Sequence, residues 1–306
     1  KEKKPDYSKV FGEKIVEMAK KDSRIVAITA SMKDGTGLTK FQKEFPNRFF
    51  DIGIAEQHAI GMAAGMAKEG MIPIVPIYSS FYQRAYDQVI HDIALQNLPV
   101  IMCVDRAGVV GADGETHQGT LDMAFFRIVP NLTIMAPKDF KELEDMLEFA
   151  VKLNKPVVIR YPRGGEEKTK LEKHEELKLG KAEILKEGKD ITIVAIGKRV
   201  AKAMEMAEKL KQNEIDAEVI NARFLKPLDK EKIKKSIEKT KNVITMEDGT
   251  EINGLGTAVE ELIVEENLQN IKFKKYAWPD EFIRHGSVEE LEKIYCDFDS
   301  ILEIKK

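Results

Sequence analysis

The stretch Asp51-Ile52-Gly53-Ile54-Ala55-Glu56-Gln57-His58 decides the fold class, because an apolar run gives way here to a segment of small residues. Residues 48–54 predict a buried strand, and residues 55–68, rich in Ala, Gly and Met, predict the following helix. Glu56 therefore lies at a strand-to-helix junction, where open α/β sheets bind their ligands. The alternative is that Glu56 only stabilises the positive end of the helix dipole.

Two further apolar runs, 71–77 and 99–104, are rich in Val and Ile and predict strands of a parallel sheet covered on both faces. Polar blocks follow these runs. If the strands are parallel, the blocks meet at one edge of the sheet. The blocks are Ile77-Tyr78-Ser79-Ser80-Phe81-Tyr82-Gln83-Arg84-Ala85-Tyr86-Asp87-Gln88, Asp105-Arg106-Ala107-Gly108 and Gly111-Ala112-Asp113-Gly114-Glu115-Thr116-His117-Gln118-Gly119.

Helical periodicity alternates with short apolar runs along the whole chain, which predicts an α/β protein with two parallel-sheet domains. We expect the first domain over residues 1–165 and the second over 180–306, joined by a charged linker over 166–179. A dinucleotide fingerprint begins at Gly254-Leu255-Gly256, but Val259 stands where a third Gly or Ala is needed. The pattern therefore argues against a dinucleotide site.

The composition narrows the class of protein. With 306 residues, 43% hydrophobic and 33% charged, the chain is typical of a globular protein. A net charge of −3 gives no basic footprint for nucleic acid. No apolar stretch approaches the roughly 18 residues of a membrane span, so we expect neither insertion nor secretion. Cys103 and Cys296 have no metal-site spacing and suggest no disulfide framework, which suits the reducing cytoplasm.

The segment 51–58 and the three polar blocks, in this order, resemble sequence motifs of the pyrimidine-binding domain of the 1-deoxy-D-xylulose-5-phosphate synthases, a family of thiamine-diphosphate enzymes related to transketolase. The resemblance continues into a second domain like the transketolase C-terminal domain and covers essentially the whole chain. It implies condensation of pyruvate with glyceraldehyde 3-phosphate, with loss of CO2, to give 1-deoxy-D-xylulose 5-phosphate for isoprenoid and thiamine synthesis. The further motifs are Arg160-Tyr161-Pro162-Arg163-Gly164, Phe224-Leu225-Lys226-Pro227-Leu228-Asp229 and Pro279-Asp280-Glu281-Phe282-Ile283-Arg284-His285-Gly286-Ser287.

The resemblance implies a cofactor site for thiamine diphosphate. Glu56 would hydrogen-bond N1′ of the aminopyrimidine and favour the imino tautomer that activates the cofactor. Phe81 would stack on the same ring, and Ile54 would also contact the cofactor. An ordinary core role for Phe81 remains open.

The resemblance also implies a substrate site. The arginines present a planar fork suited to a phosphate ester, although each alone could be a surface ion pair. Histidine has a pKa suited to proton transfer, although a structural role remains open. The implied substrate-binding residues are Tyr78, Arg84, Arg106 and Arg163, and the implied catalytic residues beside Glu56 are Asp113 and His117.

Four other histidines receive no catalytic role, among them His174, which lies in the charged linker and is expected only to be solvated. His58 is expected to position the helix start or the pyrimidine site, and His91 to pack on an amphipathic helix. His285 lies in a predicted turn near the C-terminus and has no assigned role.

Enzymes of this family bind the magnesium ion of the diphosphate through a Gly-Asp-Gly motif that is followed by an Asn. The chain lacks this Gly-Asp-Gly motif. The resemblance therefore implies that Mg²⁺ ligands lie on an N-terminal diphosphate-binding domain outside this chain, and none is assigned here. We expect the isolated chain to be inactive, and to act with that domain as a homodimer.

Two alternatives stay open. The chain could be the C-terminal subunit of a split transketolase, or a 2-oxo-acid dehydrogenase β-subunit, although residues 55–58 and 78–87 resemble the synthases more closely. It could instead be a non-catalytic dimerisation module, since the small residues over 59–67 suit close helix packing across a two-fold axis.

Overall fold

The computed structural model describes residues 5–167, 171 and 174–296. The expected linker over 166–179 thus lies partly outside the described residues. The helices are α1 (Tyr7–Lys21), α2 (Thr39–Glu44), α3 (Glu56–Lys68), α4 (Ser79–Tyr82), α5 (Tyr86–Gln88), α6 (Asp122–Arg127), α7 (Phe140–Leu153), α8 (Arg199–Gln212), α9 (Lys230–Thr240), α10 (Leu255–Glu265) and α11 (Val288–Tyr295). Tighter 3₁₀ turns span Pro46–Arg48, Gln83–Ala85 and Glu115–His117, and a π-helical segment spans Val89–Ala94.

The strands form two sheets. Their bounds are β1 (Ile25–Thr29), β2 (Phe49–Asp51), β3 (Ile72–Tyr78), β4 (Ile101–Asp105), β5 (Thr133–Met135), β6 (Val157–Arg160), β7 (Glu183–Lys186), β8 (Ile191–Ala195), β9 (Ala217–Asn221), β10 (Phe224–Lys226), β11 (Asn242–Thr250) and β12 (Lys272–Trp278). The order is β10-β5-β6-β4-β3-β1-β2 in the first sheet and β12-β11-β8-β9-β7 in the second.

Both sheets are mostly parallel, which confirms the predicted α/β fold class. Along β3, Ile74 packs into one apolar cluster and Val75 into the cluster on the opposite face. This two-sided burial explains the continuous apolar runs that predicted the central strands. No helix within the described ranges combines the length and hydropathy needed to cross a bilayer.

Each sheet ends in one antiparallel strand that the sequence patterns did not predict. Strand β7 pairs antiparallel with β9, and β10, from the second half of the chain, pairs antiparallel with β5 of the first sheet. Both strands are short, so their pairing depends on distant partners and leaves little local periodicity.

The strand predicted over residues 48–54 is shorter and less buried than expected. Strand β2 comprises three residues at the edge of the sheet, where it pairs with β1. Gly53 then takes a left-handed φ of +73°, which turns the chain towards α3. Ile54 in that turn is 73% exposed, so the apolar run is not buried along its whole length.

Candidate active site

The carboxyl ends of β3 and β4 and the start of α3 carry the residues that the sequence singled out. Glu56 is the first residue of α3, and only 2% of it is exposed. A first-turn acid is favoured by the helix dipole, but that effect needs no burial. A buried carboxylate is costly unless it has a partner, so its burial here points to a specific contact.

That contact is Arg84. Its Nε atom lies 3.0 Å from Oε2 of Glu56, and the arginine side chain is 49% exposed. Oε2 itself is buried and has no hydrogen bond with correct geometry among the described residues. The structure therefore places Arg84 beside the candidate cofactor residue, in the turn that follows Phe81.

Tyr78, Phe81 and His117 form an aromatic row. The rings of Tyr78 and Phe81 are stacked, with centroids 5.9 Å apart and an interplanar angle of 20°. Phe81 meets the ring of His117 edge-on at 5.2 Å. The guanidinium of Arg106 lies 4.1 Å from the centroid of Tyr78, in cation–π geometry. The structure thus brings these four predicted residues together.

Arg106 is fixed by a dense set of hydrogen bonds at the end of β4. Its backbone has a left-handed φ of 58°. Nη1 donates to Gly35 O (2.6 Å), Asp105 Oδ1 (2.8 Å) and Ser8 Oγ (3.1 Å), and the backbone N–H also donates to Asp105 Oδ1 (2.7 Å). Burial raises the pKa of Asp105, and the Arg106 guanidinium opposes that rise. The sequence patterns did not identify Asp105 as an anchor, although it directly precedes Arg106.

Arg163 and Asp113 form an exposed ion pair, with Nη1 2.6 Å from Oδ1. Arg163 and Arg106 line the same cavity of about 630 Å³, whereas Arg84 is not among its lining residues. The cavity is mixed in charge but holds more cations than acids. It is lined by Asp6, Ser8, Lys9, Gly12, Glu13, Asp34, Gly35, Gly37, Thr39, Lys40, Lys43, Arg106, Arg163 and Gly164.

His117 closes a 3₁₀ turn in the glycine-rich loop that also carries Asp113. Its Nδ1 lies 2.9 Å from the hydroxyl of Thr116. The loop reverses direction through left-handed backbone at Gly108, Gly111 and Gly114. It therefore brings His117 to Phe81 while leaving Asp113 exposed to pair with Arg163.

The remaining histidines differ in their surroundings. His174 is not merely solvated, because its Nε2 lies 2.8 Å from Oδ2 of Asp139. His58 is exposed on α3. The expectation that His91 packs is wrong, because its side chain is 72% exposed on the outer side of the π-helical segment, beside Asp92. His285 lies next to the loop, since a Cβ placed on Gly114 would be 3.9 Å from its side chain.

Several polar atoms at this edge are buried without a hydrogen bond among the described residues. They include Oε2 of Glu56 and the hydroxyls of Ser79 and Ser80. Buried polar atoms normally have partners, so this site has unused capacity to bind a polar ring. No cluster of three or more metal-binding side chains occurs in the described part of the chain.

The glycines at the start of α10 have a different role from phosphate binding. The backbone N–H groups of Leu255 and Gly256 each donate to the carboxylate of Glu247 at 2.8 Å. The helix N-terminus is therefore already capped by a buried acid. Burial raises the pKa of Glu247 to about 7.

Comparisons with known proteins give consistent matches. The family profile of the transketolase pyrimidine-binding domain matches residues 3–166, and that of the transketolase C-terminal domain matches residues 180–296. Proteins named 1-deoxy-D-xylulose-5-phosphate synthase are 52% identical over 97% of this chain in Halothermothrix orenii and 50% identical over 97% in Clostridium tetani. The chain spans about half the length of these relatives, 47% and 48%.

Two solved structures share the fold. One, described as a split-gene transketolase in an inactive β4 tetramer, is 32% identical with a TM-score of 0.86. The match covers 95% of this chain and 94% of that one. A transketolase from Campylobacter jejuni has a TM-score of 0.78 at 18% identity, covering 94% of this chain and 44% of its own.

Proposed function

This chain belongs to the transketolase family, and on that premise we propose that it supplies the pyrimidine-facing half of a thiamine-diphosphate-dependent 1-deoxy-D-xylulose-5-phosphate synthase. The complete enzyme would condense pyruvate with glyceraldehyde 3-phosphate, with loss of CO2. The observation that carries this proposal is the identity of about 50% with proteins of that name, which extends over nearly the whole chain.

The geometry around Glu56 fits the aminopyrimidine ring of the cofactor. Oε2 is buried and lacks a hydrogen bond among the described residues, so a ring nitrogen that carries a proton is a suitable partner. Phe81 is half-buried in the adjoining helix and offers an aromatic face for stacking, and the exposed Ile54 adds an apolar contact. When bound, thiamine diphosphate supplies the nucleophilic carbon and the electron sink for decarboxylation.

The acceptor aldehyde would bind between the aromatic row and the cationic cavity. Arg106 and Arg163 are suited to its phosphate, because a guanidinium binds phosphate through two parallel hydrogen bonds. Tyr78, whose ring contacts both Arg106 and Phe81, would pack against the sugar carbons. His117 would move a proton at the acceptor oxygen, and Asp113 would orient both the acceptor and Arg163.

Arg84 takes a different place in this proposal from the other arginines. Its ion pair with Glu56 supports a role next to the cofactor, where it orients the carboxylate. Contact with the phosphate of the substrate would require its exposed guanidinium to leave Glu56.

The Mg²⁺ that neutralises the diphosphate binds best to carboxylate and carbonyl oxygens. We propose that a separate diphosphate-binding domain supplies these ligands. We propose that this domain, encoded in the other half of the relatives' length, completes the site.

We further propose a division into residues 1–165 and 180–306, action as a homodimer, and a cytoplasmic location. The family-profile boundaries at 166 and 180 support the division.

The test is reconstitution. The chain is mixed with the diphosphate-binding half of a synthase, thiamine diphosphate and Mg²⁺, and product formation from pyruvate and glyceraldehyde 3-phosphate is followed. We expect turnover with both halves and none with either half alone. Turnover by this chain alone would contradict the division of labour, and no turnover with any synthase half would contradict the proposed activity.

A second candidate is the C-terminal subunit of a split transketolase. It is favoured by the structural neighbour of that description, because the match covers 94% of that chain. The donor separates the two candidates, because a transketolase takes a two-carbon unit from a ketose phosphate whereas the synthase decarboxylates pyruvate. Release of CO2 from pyruvate by the reconstituted enzyme would decide for the synthase.

A further inference from the structure

The loop that carries Asp113 and His117 is anchored at its base by the side chain of Gln118. This glutamine is 8% exposed. Its amide oxygen accepts hydrogen bonds from the backbone N–H of Val110 (2.8 Å) and of Gly111 (3.2 Å). Both bonds join the two limbs of the loop.

The amide nitrogen of Gln118 reaches the other half of the chain. It donates to the carbonyl of Arg284 at 3.1 Å and to that of Ile283 at 3.5 Å. The side chain thus uses both acceptor positions and both donor positions. It links the glycine-rich loop to the segment that follows β12.

Two glycines of the loop also lie against the second half of the chain, with no room for a side chain. A Cβ on Gly111 would lie 2.6 Å from the carbonyl oxygen of Gly286, and one on Gly108 would lie 1.6 Å from Oδ2 of Asp248. Asp248 is itself fixed by Arg199 Nη2 (3.0 Å) and by the indole N–H of Trp278 (2.8 Å). The back of the loop therefore rests on a buried surface that is linked by hydrogen bonds.

The front of the loop is less constrained. Between Gly111 and Gln118 the side chains of the loop make the exposed Asp113–Arg163 pair, the Thr116–His117 bond and the edge contact of His117 with Phe81. Exposed ion pairs contribute little to order. Gln118 directly follows His117 in the sequence. Its buried polar side chain therefore fixes the end of this exposed part of the loop.

We propose that Gln118 is a positioning residue through which residues 283–286 set the place of Asp113 and His117 at the acceptor side of the site. This inference rests on the proposed function for its catalytic consequence. It gives the second half of the chain a task in the reaction, because carbonyls of the segment after β12 accept hydrogen bonds from the Gln118 amide at the base of the loop.

The isosteric variant Gln118→Glu separates the two sides of the link. A carboxylate still accepts from Val110 and Gly111 but cannot donate to the carbonyls of residues 283 and 284. Gln118→Met removes both sides at similar volume, and Gln118→Asn replaces it should that variant not fold. Gln212→Met, at an exposed glutamine on α8, is the matched control.

The first measurement is amide hydrogen exchange on the chain itself, which needs neither cofactor nor activity. We expect exchange to rise about tenfold in peptides 108–119 and 280–287 of Gln118→Glu, with the strand peptides and the control unchanged. Unchanged exchange in those two segments, or a rise spread evenly over the chain, would overturn the proposal.

The second measurement uses the reconstituted enzyme. We expect the KM for glyceraldehyde 3-phosphate to rise about tenfold in Gln118→Glu, while CO2 release from pyruvate without acceptor stays at the wild-type rate. An equal loss of both steps would reduce Gln118 to a structural residue. If the wild type shows no turnover, the proposed function fails, and hydrogen exchange alone decides whether Gln118 positions the loop.

Discussion

The Nε atom of Arg84 lies 3.0 Å from Oε2 of Glu56, so a half-exposed cation holds a carboxylate that is otherwise enclosed. The two residues differ in freedom, because Glu56 is fixed in the first turn of α3 whereas Arg84 can extend into solvent. An ion pair of this kind can open without unfolding its surroundings. It therefore protects the buried acid and still leaves that acid available to a ligand.

The pair should contribute to stability in the chain alone. Arg84→Gln leaves the Glu56 carboxylate buried without a cation, and we expect the free energy of unfolding to fall by about 1 kcal/mol, since half of the arginine is screened by solvent. Glu56→Gln in the same background should restore most of this loss. Urea unfolding of the four proteins of the cycle measures the coupling, and a coupling of zero would show that the contact is incidental.

Glu56 should matter far more for turnover than for folding. In the reconstituted enzyme we expect Glu56→Gln to lose about a hundredfold or more in kcat, because an amide cannot hold a charge-assisted bond to the cofactor ring. The isolated variant should unfold cooperatively, as the wild type does. Glu69→Gln, at the exposed end of the same helix, is the control. Near-normal turnover in Glu56→Gln would remove this residue from its proposed role.

Arg163 offers a direct test of the proposed phosphate contact, because it is exposed and its loss leaves no buried charge. We expect Arg163→Gln to raise the KM for glyceraldehyde 3-phosphate about tenfold and to leave the KM for unphosphorylated glyceraldehyde unchanged. Steady-state kinetics with the two aldehydes measures the difference. Arg24→Gln removes another exposed, ion-paired arginine and serves as the control. Equal effects on both aldehydes would contradict a phosphate contact.

The sequence predicted the central strands and helices because each is encoded locally. Strands Ile72–Tyr78 and Ile101–Asp105 and helix Glu56–Lys68 begin and end within two residues of the predicted segments 71–77, 99–104 and 55–68, since burial on one or both faces leaves a clear pattern. The short edge strands β7 and β10 escaped prediction. Their pairing is set by distant chain segments, and a run of three or four residues has too little periodicity to be recognised.

The sequence predicted that several candidate site residues lie close together, but it did not predict all of their contacts. Tyr78, Phe81, Arg106 and His117 meet because parallel strands bring their carboxyl ends to one edge. The pairing of Arg84 with Glu56 could not be read from spacing, because it depends on the path of the turn after α4. Gln118 was also missed, since the two partners of its amide nitrogen, Ile283 and Arg284, lie 165 and 166 positions away in the chain.

Glu247 provides a test of the second sheet that is independent of catalysis. Burial raises its pKa from 4.5 to about 7, so the folded chain binds a proton that the unfolded chain has lost between these values. The stabilising contribution is therefore complete below about pH 4.5 and is lost as the pH rises through 7. From pH 5 to pH 8, we expect wild-type stability to fall by about 1–3 kcal/mol more than that of Glu247→Gln.

Glu247→Gln removes the titrating group. Loss of the acceptor also changes the free energy of unfolding by an amount that does not depend on pH, so the comparison uses the slope of that free energy against pH and not its absolute value. Denaturant unfolding of both proteins at several pH values measures the two slopes. Glu251→Gln, an exposed acid in the loop after the same strand, should keep the wild-type slope. Parallel slopes for wild type and Glu247→Gln would mean that Glu247 stays ionised when buried, held by the N–H groups of Leu255 and Gly256 at the start of α10.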